Sequence, residues 1–184
     1  MHAGRRFRPE RVAHRVYRVN QSTDHSDDVH HQATLLHAWD QEYAQLRAGE
    51  FTGSVSTLST AGIKLFTERM NRAVLQTGAL KAGRLAFGLP LRAAGRSRIC
   101  GEEGSANSLL VFSGSSGFEF LSPDLFEFVG IEIDTACSAD PVFLTMARTL
   151  EKVISSGRRS ISIKPAKAAK LGRVLTVMLS EDGP

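Results

Sequence analysis

Residues 51–133 alternate between short apolar segments and turn-forming residues, and the rest of the chain is arranged around them. Apolar, β-branched and aromatic residues cluster at 55–58, 63–66, 85–91, 109–112, 117–121 and 125–133. No helical period between them is long enough for a crossover. This spacing predicts an antiparallel sandwich or barrel, read as a jelly roll. Leu85, Phe87, Leu89 and Leu91 alternate with Arg84, Ala86, Gly88 and Pro90, so one face of that strand is strongly apolar and the other is small. Pro90 places its end at an edge or a bulge. In the last strand the bulky positions pass from Phe126 and Phe128 to Val129, Ile131 and Ile133, which predicts a bulge near Gly130. Residues 113–117 contain only Gly and Ser and form a hairpin turn.

The flanks follow a different period. Val29, Ala33, Leu36, Trp39, Tyr43 and Leu46 recur at three and four residues, predicting one helix capped by Asp27 or Asp28 and ended by Gly49. After the barrel, Asp140 and Pro141 open a helix with Phe143, Met146, Leu150 and Val153 on one side, and Gly157 closes it. A second helix starts at Pro165 and carries Leu171, Val174, Leu175 and Met178, with a strand over 174–177 as the alternative. Two such helices make a hairpin whose stripes bury either on the barrel or against a second copy. Dimerisation through Phe143, Met146, Leu150, Val153, Leu171, Leu175 and Met178 is the expectation.

The whole is therefore mainly β with α attachments: a mobile basic arm over 1–27, a helix and barrel over 28–138, and a helical hairpin over 139–184. Charge adds to this picture. The net charge of +4 divides into +5 over 1–23, −5 over 24–138 and +4 over 139–184. An acidic barrel repels phosphate, so direct nucleic-acid binding by the folded body is not expected. Cys100 and Cys137 match no metal or redox spacing and read as reduced thiols of a cytoplasmic protein. No apolar run reaches the ~20 residues of a transmembrane helix, and no apolar region follows the N-terminal arginines as a secretory signal requires.

Candidate chemistry narrows to binding. All six histidines, His2, His14, His25, His30, His31 and His37, precede the barrel, which leaves metal chemistry inside it without its commonest ligand. On a helix the adjacent His30 and His31 diverge by about 100°. Glu102 and Glu103 read as a wet loop, and the Ser113, Ser115 and Ser116 turn lacks both the nucleophile-elbow pattern and a barrel histidine as base. No metal, cofactor or catalytic residue is expected. Phe66 and Glu68 share a parity, as do Val74 and Gln76, with Arg72 between; facing inward they supply an aromatic wall and polar groups, facing outward they meet water. With Trp39 and Phe87 they form the candidate ligand set: Trp39, Phe66, Glu68, Arg72, Gln76 and Phe87. Trp39 is in the first place a helix-to-barrel anchor.

The motif Trp39-Asp40-Gln41-Glu42-Tyr43-Ala44-Gln45-Leu46, then Gly49, Phe51, Gly53, Phe66, Glu68, Leu75, Gln76 and Phe87-Gly88-Leu89-Pro90, resembles the N-terminal sensor domain of AraC-type transcription regulators. It looks closest to the branch containing the ethanolamine-operon regulator. The similarity runs from about Leu35 to Ile133. It implies a cupin-like, metal-free effector barrel, a helical dimerisation hairpin, a small-molecule effector, and a C-terminal DNA-binding module with helix-turn-helix units. That module is absent from this chain, which is then either a sensor fragment or a natural stand-alone. The expected function is ligand sensing and dimerisation without catalysis. The alternatives are a metal-independent cupin-like enzyme and a module that only dimerises.

Overall fold

A computed structural model describes residues 19–137 and 140–180. In chain order the elements are β1 (Asn20–Ser26), α1 (Val29–Thr34), β2 (Trp39–Gln45), β3 (Gly53–Thr60), β4 (Ile63–Met70), β5 (Val74–Leu80), β6 (Arg84–Arg92), β7 (Ser97–Ile99), β8 (Glu102–Gly104), β9 (Ser108–Ser113), β10 (Phe118–Ser122), β11 (Phe126–Asp134), α2 (Pro141–Ser155), β12 (Ser160–Ser162) and α3 (Pro165–Leu179). All strand pairs are antiparallel. One sheet has the order β1-β3-β4-β11-β6-β9-β12 and the other β2-β5-β10-β7-β8.

Within these sheets β4 pairs with β11, β5 with β10, β6 with β9 and β7 with β8. That nested pairing is one long antiparallel ribbon wound into two sheets, a double-stranded β-helix. The expected cupin-like jelly roll is what the strand order forms. β1 and β3 extend it beyond β4, β12 beyond β9, and β2 beyond β5.

The larger sheet buries both faces. Inward, β4 and β11 present Phe66, Glu68 and Met70, and Phe126 and Phe128; outward, Leu65, Val129, Ile131 and Ile133 lie beneath α2 and α3. The bulky positions of β11 therefore change parity because each face has its own cover, and no bulge at Gly130 is needed. The register shift sits instead between Glu127 and Phe128, opposite Pro90 and Arg92. Gly130 and Gly88 keep the inner face clear: a methyl group at Gly130 would lie 2.5 Å from the Phe66 ring, and one at Gly88 2.6 Å from the Phe128 ring.

Two flanking expectations need correction. The helix expected to reach Gly49 stops at Thr34, and Trp39–Gln45 is a strand paired with β5. Trp39 and Tyr43 are four apart, a spacing common to a helical face and a strand face. The polar Gln41 between them hid the strand period. Asp28 is the N-cap, accepting the His31 N–H at 2.7 Å, and this bond lowers the carboxyl below its ordinary range. Of the expected mobile arm, 1–18 lie outside the described residues, whereas Asn20–Ser26 pair along β3.

The second correction concerns the hairpin. Asp140 caps α2, Pro141 follows it, and Gly157 closes the helix with φ +82°. Before α3 the chain adds β12 to the edge strand β9. Leu150 and Leu175 are buried against the outer face of the larger sheet in the same chain, with Phe143, Met146 and Leu171 packed beside them. Val153 is half-buried. The stripe packs on its own barrel: Leu150 and Leu175 are intramolecular core, Phe143, Met146, Val153 and Leu171 are half-buried around them, and Met178 is 42% exposed.

Candidate functional site

Four of the six expected ligand residues face the barrel interior. Trp39, Phe66, Glu68 and Gln76 are all buried there, the inward of the two orientations that the parity on β4 and β5 left open. The interior they enter is filled. Trp39, Phe66, Phe112, Phe118, Phe120, Phe126 and Phe128 form a continuous array with ring centroids 5.1–6.4 Å apart. Most of these contacts are edge-on or tilted, the arrangement ring quadrupoles prefer.

The other two expected residues lie elsewhere. Phe87 is on the outward parity of β6, beneath the two helices, because the inward positions Ala86 and Gly88 must be small to admit the rings. Arg72 stands in the turn between β4 and β5 and donates from Nε to the Glu50 carbonyl at 3.0 Å. It packs against Gly49, whose φ of +123° suits glycine. Both are structural.

Glu68 is 4% exposed and accepts two hydrogen bonds at Oε1, from Gln32 Nε2 and from the Tyr43 hydroxyl, each at 3.0 Å. Burial raises its carboxyl to about 7, against the partial relief of those two donors. Burial also pushes the Tyr43 hydroxyl well above its usual range, with the Glu68 carboxylate adding to the shift. Gln76 is the register neighbour of Tyr43 and has its amide nitrogen buried without a partner among the described residues. Gln32 comes from α1, so this network ties the helix to the barrel wall. At the opposite end Trp39 Nε1 donates to Glu132 Oε2 at 3.1 Å, and Arg84 and Lys64 hold the same carboxylate. Trp39 is thus an anchor, as expected, although it sits on a strand.

A cleft lies at the barrel mouth where β6 ends and β7 begins. Its volume is about 760 Å³, and it is lined by Pro90, Arg92, Arg96, Ser97, Glu103 and Gly104 among others. It forms because β6 pairs with β9 only as far as Gly88, leaving the last residues of β6 apart from β8 and β9. Pro90, Ser97 and Gly104 are inward positions, and the Ser97 hydroxyl is buried with no hydrogen-bond partner among the described residues. Phe128, on the strand between β4 and β6, separates Glu68 from this cleft.

Sequence reasoning missed this mouth. Ser97 and Ile99 alternate with Arg98, but three residues are too few for a periodic signal. Glu102, read as part of a wet loop, lies on β8 and accepts the backbone N–H groups of Arg159 and Ser160 at 2.8 and 3.1 Å, fixing the start of β12. Ser113 and Ser115 share a hydrogen bond within their turn. Among the described residues no group of three or more His, Cys, Asp or Glu side chains converges, and no helix is long and apolar enough to cross a membrane. Cys100 and Cys137 are both free and exposed.

No family model matches the chain. Among solved structures it is similar to oxalate decarboxylase from Bacillus subtilis. A variant of that enzyme with one tryptophan replaced by tyrosine aligns with TM-score 0.30 and 13% identity over 62% of this chain and 37% of that one. The same enzyme at pH 4.6 gives 0.30 and 13%, over 62% and 36%. This chain thus spans little more than a third of that protein, and the fold assignment rests on the strand order.

Proposed function

We propose that this chain is the effector-binding and dimerisation part of a bacterial AraC-type transcription regulator, acting in the cytoplasm. Its barrel takes a small metabolite and passes occupancy to a DNA-binding module outside the chain. The observation that carries the binding reading is the barrel-mouth cleft, which falls within the roughly 300–1,000 Å³ typical of ligand sites and has a buried, unpartnered hydroxyl at its floor. The regulator reading rests on the resemblance over residues 35–133. The proposed activity is binding rather than turnover: the one carboxyl raised toward neutrality among the described residues, Glu68, is engaged by Gln32 and Tyr43 and stands behind Phe128.

The element that would report occupancy is α3, which packs on Leu91 beside the cleft. Since the predicted stripe is used within the chain, self-association falls to the exposed Val174, Val177 and Met178, which recur at three and four residues on α3. The test is the melting temperature of the purified chain against pools of metabolites. A true effector at 100 times its dissociation constant adds about 2.7 kcal/mol of stability. If no pool raises the melting temperature, the binding reading fails.

A further inference from the structure

We infer that the barrel-mouth cleft takes an oxyanion, a carboxylate or phosphate carried by a small metabolite, with Arg92 and Arg96 as its charge partners and the Ser97 hydroxyl as the group that orients it. This rests on the binding reading above and names the ligand class of the same cleft.

The charges of the lining point that way. Arg92, Arg96 and Glu103 are the ionisable side chains around the cleft, two cations against one anion. The surrounding segment, 24–138, carries a net −5, so a local excess of positive charge runs against its background. Glu103 satisfies only one of the pair, accepting from Arg96 Nη1 at 2.7 Å. Arg92 has Glu127 as its register neighbour, but that carboxylate is bound to Arg69 at 2.9 Å. Among the described residues Arg92 therefore stands at the rim with no carboxylate of its own. Guanidinium groups offer several donors in a planar fork, the geometry that suits carboxylate and phosphate.

The floor supplies the second half. The Ser97 hydroxyl belongs to a residue 2% exposed and has no partner among the described residues, a state that buried polar groups rarely keep without a ligand or water. A methyl group at Gly104 would sit 2.5 Å from the Ser97 oxygen and 3.1 Å from the Leu110 side chain, so only glycine fits beside this hydroxyl. The neighbouring Ser105 is already engaged, its N–H and hydroxyl both bonded to the Ser108 oxygen at 3.1 Å. The hydroxyl is covered in the free chain, and rotation of the Ser97 side chain toward the cleft would let it donate a hydrogen bond to an oxyanion facing the arginines.

Calorimetric titration at constant ionic strength tests this on the chain as it stands. The probes are inorganic phosphate and succinate, which distinguish the two oxyanion sources, with glucose and choline as neutral and cationic comparisons. Phosphate or succinate should bind. Arg92→Gln should weaken that binding about tenfold, the worth of one charge-assisted hydrogen bond, and Ser97→Ala should weaken it less. Arg148→Gln, at an exposed position of α2 outside the cleft, should leave it unchanged. Equal anion affinity in the Arg92→Gln, Arg96→Gln double variant overturns the inference, as does an equal loss in Arg148→Gln. Binding of glucose or choline that depends on Ser97, with none of either anion, overturns the anion class and leaves the binding reading standing. If neither anion binds and no metabolite pool shifts the melting temperature, both fall.

Discussion

Glu68 and Ser97 are both inward-facing polar residues of one barrel, and they differ in what surrounds them. Glu68 has two donors on one oxygen and an aromatic wall in front of it. Ser97 has no partner among the described residues and lies in the wall of a cleft with its oxygen covered. The carboxyl is the more conspicuous group chemically, yet its hydrogen bonds are what its burial requires, so it serves as internal support. The hydroxyl is the better mark of a site because the fold leaves it unfinished. Conspicuous chemistry and available chemistry are here at different places in the same interior.

The contrast can be broken by removing the wall. Phe128→Ala deletes a ring in contact with Phe66, Phe112, Phe120 and Phe126, and should destabilise the chain by about 3–5 kcal/mol in urea unfolding. If Phe128 is what seals Glu68, the same variant should move its carboxyl back toward the ordinary 4.5. On the outer face the same test separates core from surface. Leu150→Ala should cost about 2–5 kcal/mol, whereas Met178→Ala should change monomer stability by less than ~0.5 kcal/mol.

Glu68 itself gives a pH signature. Its folded-state carboxyl, at about 7, holds a proton more tightly than the unfolded chain at 4.5. The associated stability is full below 4.5 and lost as pH rises through 7. The total change is on the order of 3 kcal/mol. Glu68→Gln should flatten the stability profile across that window, and a profile that stays steep would assign the effect to another group. A small effect is expected at Ser97. Ser97→Ala removes no hydrogen bond, so it should shift stability by less than ~1 kcal/mol in either direction. A larger loss would show that the hydroxyl is structural after all.

Much of the fold was legible from period and punctuation. The segments at 55–58, 63–66, 85–91, 109–112, 117–121 and 125–133 each lie within or overlap a strand, and the Asp140-Pro141 and Pro165 starts and the Gly157 stop open and close helices where expected. The parity put Phe66 and Glu68 on one face, and Val74 and Gln76 on one face, and the structure turned those faces inward. Where reading failed, one pattern fitted two structures. Trp39 and Tyr43 satisfied helix and strand alike, and pairing with β5 decided the matter. Phe87 showed an apolar face, but nothing local says whether such a face looks into a barrel or under a helix.

The sequence by itself determined the six apolar segments of the barrel and their turns, the caps of α2, the alternation of large and small on β6 and the charge divided among the segments. These are local properties, set by backbone sterics and side-chain period. Only the tertiary structure decided which face of each strand is inside, that the helical stripe covers its own barrel, and that the Ser97 hydroxyl beside the cleft is left without a partner among the described residues. Those outcomes depend on which surfaces compete for the same cover and on where the pairing of β6 with β9 ends, and both are fixed by contacts between residues far apart in the chain.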